Sequence, residues 1–204
     1  MTGATGGIGR LLAEILYLRN GKVYVAARNQ DKASTAIEEI KGKHPDSTGE
    51  LRFLHLDLND LTTIKKTADD FLGQESRLDV LWNNAGVMVP PQGSTTAQGY
   101  ELQFGTNNLA PFLLTKLLLP TLQKTAETAP KNSVRVVWVS SSAAEFVPEP
   151  AIDFDNMDYR REEGIWVKYG RSKAGNVLHA AELARRVGEK GIISMVRGFL
   201  RALP

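Results

Sequence analysis

The feature that most constrains the fold is a glycine-rich turn at the start of the chain, Thr2-Gly3-Ala4-Thr5-Gly6-Gly7-Ile8-Gly9, which runs straight into a helical pattern. Gly3, Gly7 and Gly9 permit left-handed dihedrals and, without side chains, let an anionic group approach the backbone while the next helix packs closely. From Ile8 the apolar residues Leu11, Leu12, Ile15 and Leu16 recur at helical spacing. The turn therefore feeds a helix N-terminus whose free N–H groups and dipole suit a phosphate. The spacing, Thr-Gly, three residues, then Gly-x-Gly, differs from the common dinucleotide fingerprint, and an ordinary glycine-rich turn is the competing reading of this segment alone.

Beyond the turn, short apolar stretches alternate with helix-length segments. Lys22 to Ala27, Leu51 to Leu56, Leu78 to Trp82, Val134 to Ser140 and Ile192 to Val196 read as buried strands, and residues 8–19, 30–42, 60–74, 99–126 and 166–188 carry helical spacing. Alternation of this kind implies right-handed crossovers and an α/β fold, a doubly wound parallel sheet of Rossmann-like plan. Pro111 removes a backbone donor from the fourth helix and is expected to bend it or divide it. The irregular stretch from Ala143 to Ile165 exceeds the usual loop length and is expected to edge a binding site.

At 204 residues, 42% hydrophobic and 24% charged, the chain fits one domain over 1–204. The net charge of +2 is not focused, and Arg160-Arg161 and Arg185-Arg186 read as solvated surface, so nucleic acid is not expected as a partner. There is no cysteine, and His44, His55 and His179 are scattered, so no metal site is expected. No apolar run has the length of a membrane span and no signal peptide is evident; a cytoplasmic location is the expectation.

Tyr169-Gly170-Arg171-Ser172-Lys173 places a tyrosine and a lysine on one helical face, able to address one ligand. Alone, the pair reads equally as a packed ring beside a solvated cation. The ordered series is what distinguishes it: the glycine turn, Asn83-Asn84-Ala85-Gly86 closing the third strand, Asn107, Ser140-Ser141-Ser142 closing the fourth, then Tyr169 and Lys173. Together these residues resemble the short-chain dehydrogenase/reductase family over nearly the whole chain. Leu113-Leu114-Thr115, Leu118-Leu119-Pro120 and Ile152-Asp153-Phe154 look most like its retinol-dehydrogenase-like branch.

The resemblance implies hydride transfer between a nicotinamide cofactor and a carbonyl or alcohol, and Phe146, Val147, Phe154 and Met157 suggest an apolar wall and hence an apolar substrate. Tyr169 is then the acid, Lys173 favours its phenolate and grips the ribose, Ser141 bonds the substrate oxygen, and Asn107 holds a water in a relay to the lysine. Asn107 is preferred to Asn108 by its distance from Phe112. On an extended segment only one parity, Ser141 or Ser140 with Ser142, faces the cofactor. Cofactor contacts are implied for Thr2, Gly3, Gly7, Ile8, Gly9, Asp57, Leu58, Asn84, Ala85, Gly86, Tyr169 and Lys173, with Asp57 alternatively a helix cap. Ala27 stands where an NAD-preferring member has an acid and Arg28 follows it, so NADP(H) is expected over NAD, the alternative being an arginine with no such role.

The family's first strand precedes the glycine turn, where this chain has only Met1. Its Pro-Gly, substrate-covering segment and last strand are also not matched by Val196-Arg197-Gly198-Phe199-Leu200-Arg201. The resemblance thus implies a chain lacking the first strand and the C-terminal strand and lid, incomplete at both ends. The second functional expectation follows from this: a non-catalytic chain that binds nucleotide weakly or self-associates through strand edges. A homodimer through helices bearing Leu113 to Leu119 and Val177 to Leu183 is a further expectation, the alternative being that those apolar faces pack on the chain's own sheet.

Overall fold

The computed structural model describes residues 1–198. Six helices and five strands follow in the order α1 (Gly7–Leu18), β1 (Lys22–Ala27), α2 (Gln30–Lys43), β2 (Glu50–His55), α3 (Leu61–Leu72), β3 (Val80–Asn83), α4 (Leu102–Phe104), α5 (Ala110–Thr128), β4 (Val134–Val139), α6 (Ile165–Val187) and β5 (Ile192–Arg197) among the described residues. A π turn, Gly105–Leu109, joins α4 to α5. Every strand pairing is parallel: β1 with β2, Val25 opposite Phe53, and β4 between β3 and β5, Val136 facing Leu81 on one side and Ser194 on the other.

The two groups of strands share no ladder of their own. Met1 and Thr2 lie between them: the Thr2 N–H donates to the Trp82 carbonyl at 3.0 Å, the Ala26 N–H to the Met1 carbonyl at 2.9 Å, and the Gly3 N–H to the Ala26 carbonyl at 3.0 Å. This gives the order β2-β1-(Met1–Thr2)-β3-β4-β5. Away from Thr2 the edges of β1 and β3 part around a cavity of about 440 Å³ lined by Tyr24, Leu54, Phe71, Leu81, Leu114 and Leu118 among others. Where the resemblance implied a first strand, two residues hold the place. The implied absence of a C-terminal strand and lid concerns Phe199 onward, outside the described residues.

Alternation along the strands decides what packs where. Tyr24 and Ala26 of β1, Leu54 of β2, Leu81 of β3 and Val134, Val136 and Trp138 of β4 point to one face, where α3, α5 and α6 bury Ile64, Phe71, Leu114, Leu118, Leu122, Ala180 and Val187 against them. Val23 and Val25 point to the other, under Ala13 and Tyr17 of α1 and Ala33 and Ile40 of α2. These apolar contacts are the dominant stabilising term, roughly 25 cal/mol per Å² removed from water.

The expected division is a local widening of a helical backbone that stays right-handed from Leu102 to Thr128, and it precedes Pro111. It falls at the π turn, so that Pro111 occupies the first turn of α5, where no N–H is required of it, while Pro120 lies inside α5. Residues 99–101 are not helical; Glu101 bridges Thr95 and caps α4 through the Phe104 N–H at 2.7 Å.

Candidate active site

The turn before α1 has the backbone its glycines suggested. Gly3 (φ 68°) and Gly7 (φ 52°) are left-handed, a conformation that residues with a Cβ rarely adopt. Gly9 serves a different need, since a Cβ there would land on the Gly3 carbonyl and 2.5 Å from Asn84 Nδ2. A Cβ on Gly3 would lie 2.8 Å from Ala85 Cα. The first turn of α1 opens at Gly6, with no side-chain cap on its N–H groups, and Gly7 and Ile8 are exposed there. An anion fits that end, because the helix dipole and uncapped donors point outward through a wall of glycine.

Thr2 is the hinge of the arrangement. Its buried hydroxyl accepts from the N–H groups of Asn84 and Ala85 at 3.0 and 2.9 Å and donates to the Trp82 carbonyl at 3.2 Å. The Asn84 amide donates in return to the carbonyls of Thr2 and Gly3 at 3.0 and 3.2 Å. Thr2, Asn84 and Ala85 thus lock the glycine turn to the end of β3. On the β1–β2 side Arg28 is exposed beyond β1, with Ala27 before it offering no carboxylate. Asp57 accepts from the Asn59 N–H at 2.9 Å, and the cap of α3 is Asp60, bonded to the Thr62 N–H at 2.9 Å, so the helix-cap alternative for Asp57 is not what the structure contains. The Leu58 side chain is in the core, leaving only its backbone for a ligand.

The four expected catalytic residues come from three places: the π turn, the end of β4 and α6. Tyr169 and Lys173 stand one turn apart on α6, with the Lys173 ammonium 5.8 Å from the Tyr169 ring centroid. Lys173 is 5% exposed and donates to the Val139 carbonyl at 3.1 Å; burial lowers its pKa to about 8 from the ordinary 10.5. Asn107, in the π turn, accepts from the Val87 N–H at 2.7 Å and donates to the Val87 carbonyl at 2.8 Å and to Ser172 Oγ at 3.0 Å. Gly86 fits between them: a Cβ there would lie 3.0 Å from Asn107 Oδ1 and 3.1 Å from Lys173 Nζ. This niche and the glycine turn fit a dinucleotide between the two sheet halves.

The serines divide by parity. Ser140 is buried and its hydroxyl donates to the Lys173 carbonyl at 2.8 Å, whereas half-buried Ser141 caps the following turn through the Ala143 N–H at 3.2 Å. That turn packs on α6 at Gly170, where a Cβ would lie 2.6 Å from the Ala143 carbonyl and also meet Val147. Of the expected apolar wall, Val147 is thus packed under the helix, while Phe146 and Phe154 are 78% and 79% exposed. Trp166, one turn before Tyr169, meets its ring edge-on at 6.3 Å.

Sequence reasoning passed over Ser172, Gln103 and Arg171. Ser172 accepts from Asn107 and donates to the Tyr169 carbonyl at 2.7 Å. Fully buried Gln103 accepts from the Val89 N–H at 2.8 Å and donates to the Ile165 carbonyl at 3.2 Å, joining the loop after β3 to the start of α6. Arg171 pairs with Glu163 at 2.8 Å. For Ser172 and Arg171 the available signal was their place on the helix that also carries Tyr169 and Lys173; Gln103, on α4, gave none. Among the described residues no three His, Cys, Asp or Glu side chains gather as a metal site, and no helix is long and apolar enough to cross a membrane.

Comparison with known proteins agrees with this geometry. Residues 1–153 match the family model described as short chain dehydrogenase. A short-chain dehydrogenase/reductase, pkfC, of Emericella nidulans is 61% identical over 94% of this chain and 61% of its own length, and one from Phomopsis amygdali is 54% identical over 96% and 59%. The chain spans about three fifths of the length of these curated relatives. Among solved structures, an uncharacterised protein from Mycobacterium paratuberculosis superposes with TM-score 0.78 at 32% identity, covering 98% of this chain and 67% of that one. RhlG of Pseudomonas aeruginosa, solved as an NADP complex, gives TM-score 0.74 at 23% identity, over 96% and 68%. Its glycine turn, its parallel sheet and these relatives together make this chain a member of the short-chain dehydrogenase/reductase family.

Proposed function

We propose that the protein is an oxidoreductase acting between NADP(H) and a carbonyl or alcohol substrate of apolar character, with Tyr169 as the proton donor to the reacting oxygen. The observation that carries this reading is the pairing of half-buried Tyr169 with the buried Lys173 ammonium on one face of α6, against the Gly86 niche. A nicotinamide dinucleotide bound there supplies the hydride. Gly7, Ile8 and Gly9 would hold its pyrophosphate by backbone N–H groups where Gly3, its own N–H bonded to Ala26, makes room; Thr2, Asn84, Ala85 and Gly86 shape the floor, and Asp57 and Leu58 border the adenine. Arg28, with no acid at Ala27, suits a 2′-phosphate through its guanidinium fork.

Lys173 lowers the cost of the phenolate by its charge and is poised to bond the ribose. Ser141, whose hydroxyl is not drawn into the helix as that of Ser140 is, orients the substrate oxygen. Asn107 fixes the loop at Val87, and because Pro111 offers no N–H to the carbonyl four residues back, that Asn107 carbonyl suits a water feeding protons toward Lys173. Exposed Phe146, Phe154 and Trp166 support an apolar substrate. Phe112, Val177 and Leu178, exposed on α5 and α6, support a homodimer, checked by light scattering.

The test is NADPH oxidation by the purified chain against a panel of ketones and aldehydes, with Tyr169→Phe alongside. Removing the acid should lower kcat by about 10³-fold or more while leaving NADPH affinity near the parent value. Unchanged turnover discards the mechanism. A parent chain that binds NADPH and reduces nothing favours the non-catalytic reading.

A further inference from the structure

The segment from Pro148 to Glu163 links the turn after Ser141 to the start of α6, and a single side chain of the helix bearing Tyr169 and Lys173 grips it at both ends. Arg171 lies on α6 midway between Tyr169 and Lys173 and is 5% exposed. Its Nε and Nη2 each donate at 2.8 Å to the two carboxylate oxygens of Glu163. Its Nη1 turns the other way, to the carbonyls of Pro148 at 3.4 Å, Ala151 at 3.2 Å and Pro150. Only a guanidinium has the planar set of donors to serve a carboxylate and a cluster of carbonyls at once.

A buried ion pair is a poor device for stability alone, because an apolar pair of similar volume often serves as well or better. An apolar pair cannot hold carbonyls in place, and that is the work this geometry performs. The gripped segment has a second mark of constraint. Tyr159 sits at φ 52°, a conformation costing a bulky residue on the order of 1–2 kcal/mol, which persists where the surroundings over-determine it. Buried Asn156 closes the segment on itself through the Arg161 N–H and carbonyl at 2.9 and 2.8 Å. Buried Lys168 lies 5.0 Å over the Tyr159 ring while bonding Glu162 at 2.8 Å.

We propose that Arg171 is a positioning residue for the reaction. Through Glu163 and the three carbonyls it sets how far the segment bearing Phe154 and Met157 stands from Tyr169, and so discriminates among carbonyl substrates by bulk. This rests on the reading of Tyr169 and Lys173 given above.

The paired variant Arg171→Met with Glu163→Met removes the grip without stranding a buried charge. On the full chain, KM and kcat are measured for a bulky aromatic ketone and a small aliphatic one, with NADPH affinity and hydrogen exchange over residues 148–163. The expected result is a roughly tenfold change in the ratio of the two KM values, with kcat within about threefold, NADPH affinity within about twofold, and faster exchange in the segment. An unchanged KM ratio overturns the proposal, as does a uniform fall in kcat and NADPH affinity. If the paired variant does not fold, Arg171→Lys, which keeps the charge but cannot form the fork, gives the same reading. If the parent reduces no ketone, the function proposed above has failed on its own; the grip is then judged by exchange, and falls if Arg171→Lys leaves residues 148–163 as protected as before.

Discussion

The two halves of the sheet solve opposite problems. The β1–β2 half meets its proposed ligand with what is left out: glycines in the turn, uncapped N–H groups, an alanine at Ala27, and one exposed arginine. The β3–β4–β5 half works with buried polar side chains held by at least one bond: Asn83 Nδ2 donates to Thr115 at 2.9 Å and Asn176 Nδ2 to the Val139 carbonyl at 3.0 Å, while the Oδ1 atoms of both are left without a partner, and Ser140 and Asn107 are bonded as described. A binding edge gains from open backbone, whereas a site for proton transfer gains from side chains that cannot turn away. The comparison teaches that the first half should tolerate change in stability and fail in affinity, and the second should show activity and stability pulling apart.

Lys173→Met is the strongest way to break that contrast. Activity should fall by about 10³-fold, while stability without cofactor should rise at neutral pH, because a buried ammonium is replaced by a thioether and the Val139 carbonyl keeps its bond from Asn176. The fall of the amine from 10.5 to about 8 corresponds to a cost on the order of 3 kcal/mol. Below pH 8 both folded and unfolded chains carry the proton and the parent bears the full cost. Between about 8 and 10.5 the folded chain sheds it first, so the parent's stability rises with pH and the gap to the variant closes. Urea denaturation of both proteins at pH 7 and pH 10 checks this; a variant less stable than the parent at pH 7 would place Lys173 among the structural residues instead.

Thr2→Val tests the seam. The variant keeps the shape of the side chain and strands the Asn84 and Ala85 N–H groups, which should cost about 2–4 kcal/mol in thermal or urea unfolding. A loss below about 0.5 kcal/mol would mean that α3 packed on α5, rather than Thr2, holds the halves together. The smallest effect is expected at Arg28→Ala, which should raise KM for NADPH roughly tenfold and leave NADH use and stability near the parent values. Equal effects on both cofactors would remove the 2′-phosphate from the argument.

How much of this was legible in the sequence follows the same division. The run Val134 to Val139 is nearly all apolar, so its burial and strand character were plain, and the glycine turn announced its backbone because at Gly3 φ is 68° and a Cβ would crowd Ala85. The π turn was not legible: helical spacing continues through residues 99–126, and Pro111 marked only the neighbourhood of the break. Arg171 was hidden for a physical reason. A charged residue on a helix reads as solvated, and its burial depends on Glu163 and three carbonyls that a distant loop delivers. Leu58 shows the converse, a position matched to a family contact whose side chain the core claims.

The cleft between β1 and β3 lets small solutes reach the middle of the sheet from its open side. Trp82 lines that space and is the natural reporter. Its emission should be quenched by acrylamide at concentrations that leave fully buried Trp138 untouched.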